Sequence, residues 1–359
     1  MGDSVLFFTQ AYNAEKTLTQ TIESVLNQTH ENLKYLIHDN GSTDATGAIV
    51  DDWAKRDARV IPYHTEVNRF GISQIIWKKI TDKHRGAKYY AHIDADDTYD
   101  LDFAKKMIAF MGEHHLDCAA CGTRLVELSS GKLIRKRVLE KDFIIERDRL
   151  ADDFLIYRRY FIEFWGKIYT TDLLRGKGAG FNWDATGRSR LVDFNLTLSL
   201  LRHAERAGIL AQCLHTYNQR EDSACRDVFA GIDAHLIYWI SSIRNYLLLL
   251  GPISEINRNY LHAIYLGQLS DTLDLIYRAA MLTTDKFQLI LDILQLQDTQ
   301  DMLQCRPNPQ FRNLTERRAF LQNIKDWVVA QEDVEGKLSL REGVLELLDG
   351  FIKKQISHK

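Results

Sequence analysis

Short apolar runs alternate with helical patterns through the first hundred residues, and this alternation constrains the fold more than any other feature of the chain. Val5 to Phe8, a helix over 14–28, Tyr35 to Ile37, a helix over 45–56, Val60-Ile61, a helix over 71–85 and Tyr89 to Ile93 follow one another. Such an order predicts an α/β sheet covered by helices on both faces. In the first helix Leu18, Ile22, Val25 and Leu26 recur at helical spacing and define one buried face. At 359 residues and 45% hydrophobic content the chain can bury a full core, and its length suggests two domains, or one with an extension.

The second half reads differently. A helix is expected from Leu101 to Gly112, then apolar and turn residues to Leu128, then a charged stretch, Lys132 to Arg149, read as a solvated connection or an insertion. Strand signals fade beyond about Val228. His235 to Leu250 is strongly apolar, but Arg244 and Asn245 lie in its middle and Gly251-Pro252 ends it, which favours a buried helix over a membrane span. The remainder is helical in pattern, broken at Pro307-Asn308-Pro309. The final segment from Val344 sets Leu345, Leu348, Phe351 and Ile352 beside Lys353, Lys354 and Lys359. A helix of this kind packs on its own domain or a second subunit, or rests on an anionic membrane surface. The expected division is 1–225 (halves 1–125 and 126–225) and a helical module, 226–359.

Composition excludes some functions. With 46 basic and 49 acidic residues the net charge is −3, so nothing global suits nucleic acid. The N-terminus lacks a basic segment followed by a long apolar run, so no signal peptide is expected and a cytoplasmic address is. The five cysteines are scattered and odd in number, which argues against a disulfide framework. Cys118 and Cys121 form a lone CxxC without a second ligand pair, so buried thiols are expected ahead of a zinc or redox site.

Three constellations carry chemistry, each just after a strand candidate. Asp94-Ala95-Asp96-Asp97 follows Tyr89 to Ile93 and places three carboxylates where open α/β sheets bind ligands. Carboxylates so close repel one another unless a cation joins them, and hard oxygen ligands suit Mg²⁺ or Mn²⁺. An Asp-x-Asp pair is equally at home as a turn or helix cap. Asp39-Asn40-Gly41-Ser42-Thr43-Asp44 offers a glycine for a tight turn, three candidate caps for the next helix, and Asp39 as a hydrogen-bond acceptor for a base or ribose. Tyr12-Asn13-Ala14-Glu15 offers an aromatic face for a base with a carboxylate beside it.

Taken with Thr21 to Thr29 and Gly86, these motifs resemble the family 2 glycosyltransferases of the GT-A fold, the type found in bacterial polysaccharide and glycan synthesis. The resemblance is dense over the first hundred residues and weaker to about 225. It implies a Rossmann-like mixed sheet flanked by helices, here with an α-helical C-terminal extension, and a metal-dependent inverting transferase using a nucleotide-diphospho-sugar, UDP favoured over GDP or dTDP. Ala11, Tyr12, Glu15 and Asp39 would then contact the nucleoside, Asp94 and Ala95 the ribose and diphosphate, and Asp96 with Asp94 the metal, Mn²⁺ or Mg²⁺. In the acceptor half, Trp165 to Tyr169, Phe181 and Val192-Asp193 look like the family region in which a Glu-Asp pair supplies the catalytic base. Val192 replaces the Glu, leaving Asp193 as the base candidate or a helix N-cap, with Asp184 as runner-up. Where the family has Tyr-Arg and then a metal-binding His, this chain has Asn218 and Arg220. An arginine binds no metal, but Arg220 could pair with diphosphate oxygens. Gln10 replaces the usual Pro, and Ile76-Trp77 replace an Arg-Asn, with Lys78 or Arg69 as compensating cations.

The acceptor implied is a glycan or a lipid-linked glycan, compatible with peripheral membrane contact and with self-association through the C-terminal helices. Two other readings compete. A sugar nucleotidyltransferase expects a Gly-rich loop near the N-terminus, and residues 5 to 16 hold no Gly. A noncatalytic nucleotide-sugar-binding scaffold is suggested by Val192, Asn218 and Trp77.

Overall fold

The computed structural model describes residues 3–68, 86–176, 192–219, 232–304, 313–331 and 338–356. The chain divides into two compact units, 1–221 and 222–359.

In the first unit a ten-stranded mixed sheet comprises β1 (Val5–Ala11), β2 (Leu33–Asn40), β3 (Val60–Thr65), β4 (Tyr89–His92), β5 (Thr98–Tyr99), β6 (Cys118–Glu127), β7 (Leu133–Arg137), β8 (Phe143–Glu146), β9 (Lys167–Thr170) and β10 (Arg206–Gln219). Its order is β3-β2-β1-β4-β9-β6-β10-β5, with β7 paired to β6 and β8 to β10. β3, β2, β1 and β4 run parallel, so their carboxyl ends share one edge, and the register sets Ala11 against Asp39 and Phe8 against His92. β1 is buried along nearly its whole length, as a parallel strand covered on both faces must be. β9 runs antiparallel to both β4 and β6 and joins the two halves.

The helices of this unit are α1 (Leu18–Leu26), α2 (Thr46–Arg56), α3 (Phe103–His114), the single turn α4 (Phe154–Tyr157), α5 (Thr171–Gly176) and α6 (Val192–His203). α1 buries Leu18, Thr21, Ile22, Val25 and Leu26, the 3.6-residue stripe read from the sequence. Beyond its end, the buried Gln28 side chain donates to the Asp100 carbonyl and accepts from Ala104 N, tying α1 to the first turn of α3. Phe7, Tyr99 and Phe103 cluster beneath the acidic turn, the last two rings stacked at 3.7 Å. The Tyr99 hydroxyl donates to the His92 carbonyl at 2.6 Å and accepts from Gly166 N, so one side chain locks β4 to the start of β9.

One expectation needs correction, and the reading of the cysteines as buried thiols does not. The charged stretch 132–149 is not a plain connection: it contains β7, paired antiparallel to β6, and β8, paired antiparallel to β10. Basic residues hid β7, because an edge strand can carry charge on faces that a central strand must keep apolar, and β8 is a run of only four residues among charged neighbours. Cys118 and Cys121 lie buried in β6 as free thiols, and burial pushes Cys121 up to about 12, so neither is a thiolate suited to metal. The expected helix over 71–85 lies outside the described residues.

The second unit is helical: α7 (Ile232–Leu250), α8 (Glu255–Arg278), α9 (Thr283–Gln295), α10 (Gln297–Gln304), α11 (Asn313–Ala330) and α12 (Leu338–Ile356). Ser254 caps α8 by accepting from Asn257 N. Among the described residues no helix is long and apolar enough to cross a membrane. Val344, Leu348 and Phe351 of α12 are buried, and α12 packs on α9 and α11. The apolar face expected from the sequence is covered within its own unit.

Candidate active site

The site is assembled from loops at the carboxyl edge of the parallel strands. After β1, Asn13 adopts φ 50°, a left-handed conformation that Asn tolerates better than most residues. Its side-chain oxygen accepts from Thr43 N at 2.9 Å, and its own N–H donates to Ser42 Oγ. Ala14 N donates to Thr46 Oγ1, Glu15 N to Asp44, and Ala45 N returns a bond to Glu15 Oε2. The loops after β1 and β2 are thus stitched together, with Tyr12 left 46% exposed at their lip. Glu15 spends a carboxylate oxygen on this seam. Ala11 buries its side chain at the end of β1. Asp44, one of the expected caps, accepts from Thr46 N at the start of α2.

Asp39 is buried at the end of β2. One carboxylate oxygen accepts from Ser42 N at 3.1 Å, and the other meets His64 Nδ1 at 3.2 Å. The opposite ring nitrogen of His64 lies 3.0 Å from Asp51. Burial opposes a charge on His64, but the two carboxylates outweigh it and hold its pKa above the ordinary imidazole value. Gly47 completes the niche: a Cβ there would stand 2.7 Å from Asp39 Oδ2. His64 was not singled out in the sequence, since it lies on β3, 25 residues from its partner, without a motif around it.

The acidic turn follows β4. Ligand oxygens of Asp94, Asp96 and Asp97 all lie within 4.8 Å of one another. The turn is held from several directions. Asp97 N donates to the Asp94 carbonyl, and from α1 and the loop before it Thr21 Oγ1 and Thr17 Oγ1 bond the carbonyls of Asp97 and Ala95. From β10, Asn218 Nδ2 donates to the Asp96 carbonyl at 2.7 Å and Asn218 N to Asp97 Oδ1. His92 Nε2 lies 2.9 Å from Asp94 Oδ1. Asp94 and Asp96 are half-buried and Asp97 is wholly buried. Burial, with the charges of Asp94 and Asp96 adding, raises the Asp97 pKa well above the usual carboxylate range. The set fits a divalent cation: two accessible carboxylates converge beside a third whose pKa is raised by burial first, and by repulsion from Asp94 and Asp96 that a cation would relieve.

Behind the turn, His215 Nε2 stands 3.1 Å from Asp97 Oδ2, out of line for a hydrogen bond. Burial and then the positive charge of Arg137 push the His215 pKa well down, so the imidazole is neutral. Its ring stacks on Trp165 at 4.4 Å. Trp165 also faces Tyr217, and the Arg137 guanidinium lies 5.2 Å over its ring while bonding both Glu163 oxygens at 3.1 Å. Lys167 is buried beside them, and burial lowers its pKa to about 8. Trp165 and Lys167 of this polar wall lie in the stretch the sequence singled out, but Arg137 on β7, Glu163 in the loop before β9 and His215 on β10 escaped it.

Asp193 lies in the first turn of α6, half-buried. Burial, then the negative charge of Asp94, pushes its pKa up to about 6, with His92 and Lys167 opposing. The structure therefore brings Asp193 within electrostatic reach of the acidic turn. Asp184 and Arg220 lie outside the described residues, as do Phe181, Arg69, Ile76, Trp77 and Lys78.

A parallel sheet whose carboxyl edge carries these loops, followed by antiparallel strands and a Trp-lined wall, defines a GT-A fold. Residues 7–169 match the model for glycosyl transferase family 2, and this part of the chain is a family 2 glycosyltransferase domain. The uncharacterized glycosyltransferase EpsJ of Bacillus subtilis is 26% identical over 233 residues, 63% of this chain and 64% of EpsJ. Glycosyltransferase GlyG of Streptococcus pneumoniae is 32% identical over 97 residues, 27% of this chain and 31% of GlyG. The chain thus spans less than two thirds of either relative. Among solved structures, S. aureus TarS 1-349 in complex with UDP-GlcNAc is similar with a TM-score of 0.53 at 16% identity, covering 99% of this chain and 91% of that one. The mannosyltransferase PcManGT of Pyrobaculum calidifontis, in complex with GDP-Man and Mn²⁺, has a TM-score of 0.50 at 14% identity, covering 91% and 88%.

Proposed function

We propose that the chain is a metal-dependent, inverting glycosyltransferase that moves a sugar from a nucleotide-diphospho-sugar, UDP-linked in the first place, to a hydroxyl of a glycan or lipid-linked acceptor. The observation that carries this reading is the meeting of the Asp94, Asp96 and Asp97 oxygens within 4.8 Å at the strand edge that also bears Tyr12 and Asp39. The solved complexes of TarS with UDP-GlcNAc and of PcManGT with GDP-Man and Mn²⁺ lend support at the level of the fold.

Tyr12 offers its exposed ring to the base and Asp39 accepts from a base N–H or ribose hydroxyl. Ala11 contributes backbone and Glu15 braces the nucleoside loop. Asp94, with the backbone at Ala95, faces the ribose and diphosphate, and Asp94 and Asp96 hold Mn²⁺ or Mg²⁺. When bound, such a cation neutralises the charge that gathers on a departing diphosphate. Asp193 takes the proton from the acceptor hydroxyl, whose oxygen bonds to the anomeric carbon as the bond to diphosphate breaks, with inversion. Its pKa of about 6 leaves it ionised at neutral pH yet still basic. Asp184 as an alternative base and Arg220 as a diphosphate partner rest on the sequence alone.

The test is turnover of UDP-, GDP- and dTDP-sugars with glycan and lipid-linked acceptors, reading nucleotide release and the anomeric configuration of the product by NMR. An inverted product, and a loss of about 10²- to 10⁴-fold in kcat for Asp193→Asn with donor binding kept, is expected. Donor binding without turnover by any acceptor, or unchanged turnover in Asp193→Asn, contradicts the reading.

A further inference from the structure

We propose that the β6–β7 hairpin of the first unit docks on the headgroup layer of an anionic lipid bilayer. The hairpin turns at Gly131, φ 69°, where Gly131 N donates to the Glu127 carbonyl and Glu127 N to the Lys132 carbonyl. β7 is an edge strand that pairs with β6 alone among the described residues. Every side chain from Lys132 to Lys136 is exposed. Of the six charged residues from 132 to 141 five are basic. Lys132, Arg135 and Lys136 make no ion pair among the described residues, whereas Arg137, one position on, turns inward to Glu163.

Basic side chains on an edge strand have an ordinary use: they keep the edge from pairing with another chain. That use does not explain what lies among them. Leu133, Ile134 and Val138 are 45%, 49% and 38% exposed. The pairing with β6 slips between Leu133 and Arg135, leaving Ile134 as an extra, unpaired residue, so strict alternation is broken there and Leu133 and Ile134 are not held to opposite faces. A strand lying in the interface can send Leu133 and Ile134 toward the acyl boundary while the long stems of Lys132, Arg135 and Lys136 snorkel to lipid phosphates. A soluble polyanion would satisfy the cations and leave the apolar side chains in water. A second copy of the chain, edge to edge, would set like charges together. The bilayer answers both parts of the surface. It also differs from the alternative in which the C-terminal helix makes the membrane contact, since Val344, Leu348 and Phe351 of that helix are buried.

The inference is independent of the transferase reading, because lipid binding is measured with no donor present. The full chain is mixed with vesicles of phosphatidylcholine alone, or of equal parts phosphatidylcholine and phosphatidylglycerol, and sedimented. Binding is expected to the anionic vesicles only and to weaken with added salt. Lys132→Gln, Arg135→Gln and Lys136→Gln combined should lower partitioning on the order of a hundredfold, at about fivefold per cation. Leu133→Ser with Ile134→Ser should lower it roughly tenfold or more with every cation intact. Hydrogen exchange on the wild-type chain guards against a folding defect in these variants: vesicles should protect amides over 128–138. Equal binding to neutral vesicles overturns the proposal. So does unchanged binding after the apolar substitutions with equal competition by soluble polyphosphate, which would mark a polyanion site. Protection confined to the helical unit would overturn it as well.

Discussion

A carboxyl group serves as a base near neutral pH when its surroundings strengthen its hold on a proton without keeping it protonated, and the setting of Asp193 does this through burial and the charge of Asp94. Activity should therefore rise with pH to half its plateau near 6 and stay level above, read from kcat against pH. The same environment has an opposite effect on stability. The folded state holds the Asp193 proton more tightly than the unfolded chain, so this contribution is full below about pH 4 and is lost as pH rises through about 6. At pH 8 the ionised group costs roughly 2–3 kcal/mol, and Asp193→Asn should melt at a higher temperature than wild type while losing activity. Equal melting of the two at pH 8 would mean that Asp193 is solvated. Gly47 offers a second residue-scale test. Alanine is the better helix former by about 1 kcal/mol, but its Cβ would meet Asp39 Oδ2 at 2.7 Å. Gly47→Ala should keep its stability to within about 1 kcal/mol and lose roughly tenfold in donor affinity, measured by calorimetry. His64, which shares Asp39 with Ser42, could not be read from the sequence: a lone histidine on a strand says nothing until β2 and α2 supply its two carboxylates.

The acidic turn is one short element held by others distant in sequence. Thr17 and Thr21 reach it from 78 and 76 residues away, and Asn218 from 122. The turn was legible because its charge is local, and its place at a strand end followed from the apolar run before it. Its supports were not, since hydrogen bonds to backbone carbonyls leave no pattern in the chain. Asn218 shows the difference. Against the resemblance it is a departure, an Asn where Arg is usual; in the fold it braces Asp96 from β10. Asn218→Ala leaves the Asp96 carbonyl without this donor and should cost about 1–2 kcal/mol in denaturant unfolding, with weaker metal-dependent donor binding. An unchanged midpoint would show that water replaces the amide. The parallel strands were likewise readable as buried apolar runs, while β7 and β8 were not: β7 is an edge strand rich in Arg and Lys that looks like solvated chain, and β8 is only four residues set among charged ones.

At the scale of the whole molecule, the chain divides into an α/β unit and a helical unit. Leu348 on α12 is fully buried, so Leu348→Ala should destabilise the helical unit by about 2–5 kcal/mol. Donor affinity, which belongs to the first unit, should stay at the wild-type value. A parallel loss of donor affinity would show that the two units melt and bind as one. The wall was only partly legible: Trp165 and Lys167 fall in a stretch the sequence singled out, whereas Arg137, Glu163 and His215 are brought to it from separate strands and a loop. The central claim is that the Asp94, Asp96 and Asp97 cluster holds a divalent cation against a nucleotide diphosphate. Its most direct test is thermal unfolding of the wild-type chain and Asp96→Ala with Mn²⁺, with UDP-sugar, and with both. Wild type should gain most with both together, and Asp96→Ala, relieved of one repelling carboxylate, should melt slightly higher alone but gain nothing from the pair. Stabilisation of Asp96→Ala equal to that of wild type, or none of wild type by UDP-, GDP- or dTDP-sugars with Mn²⁺, would contradict it.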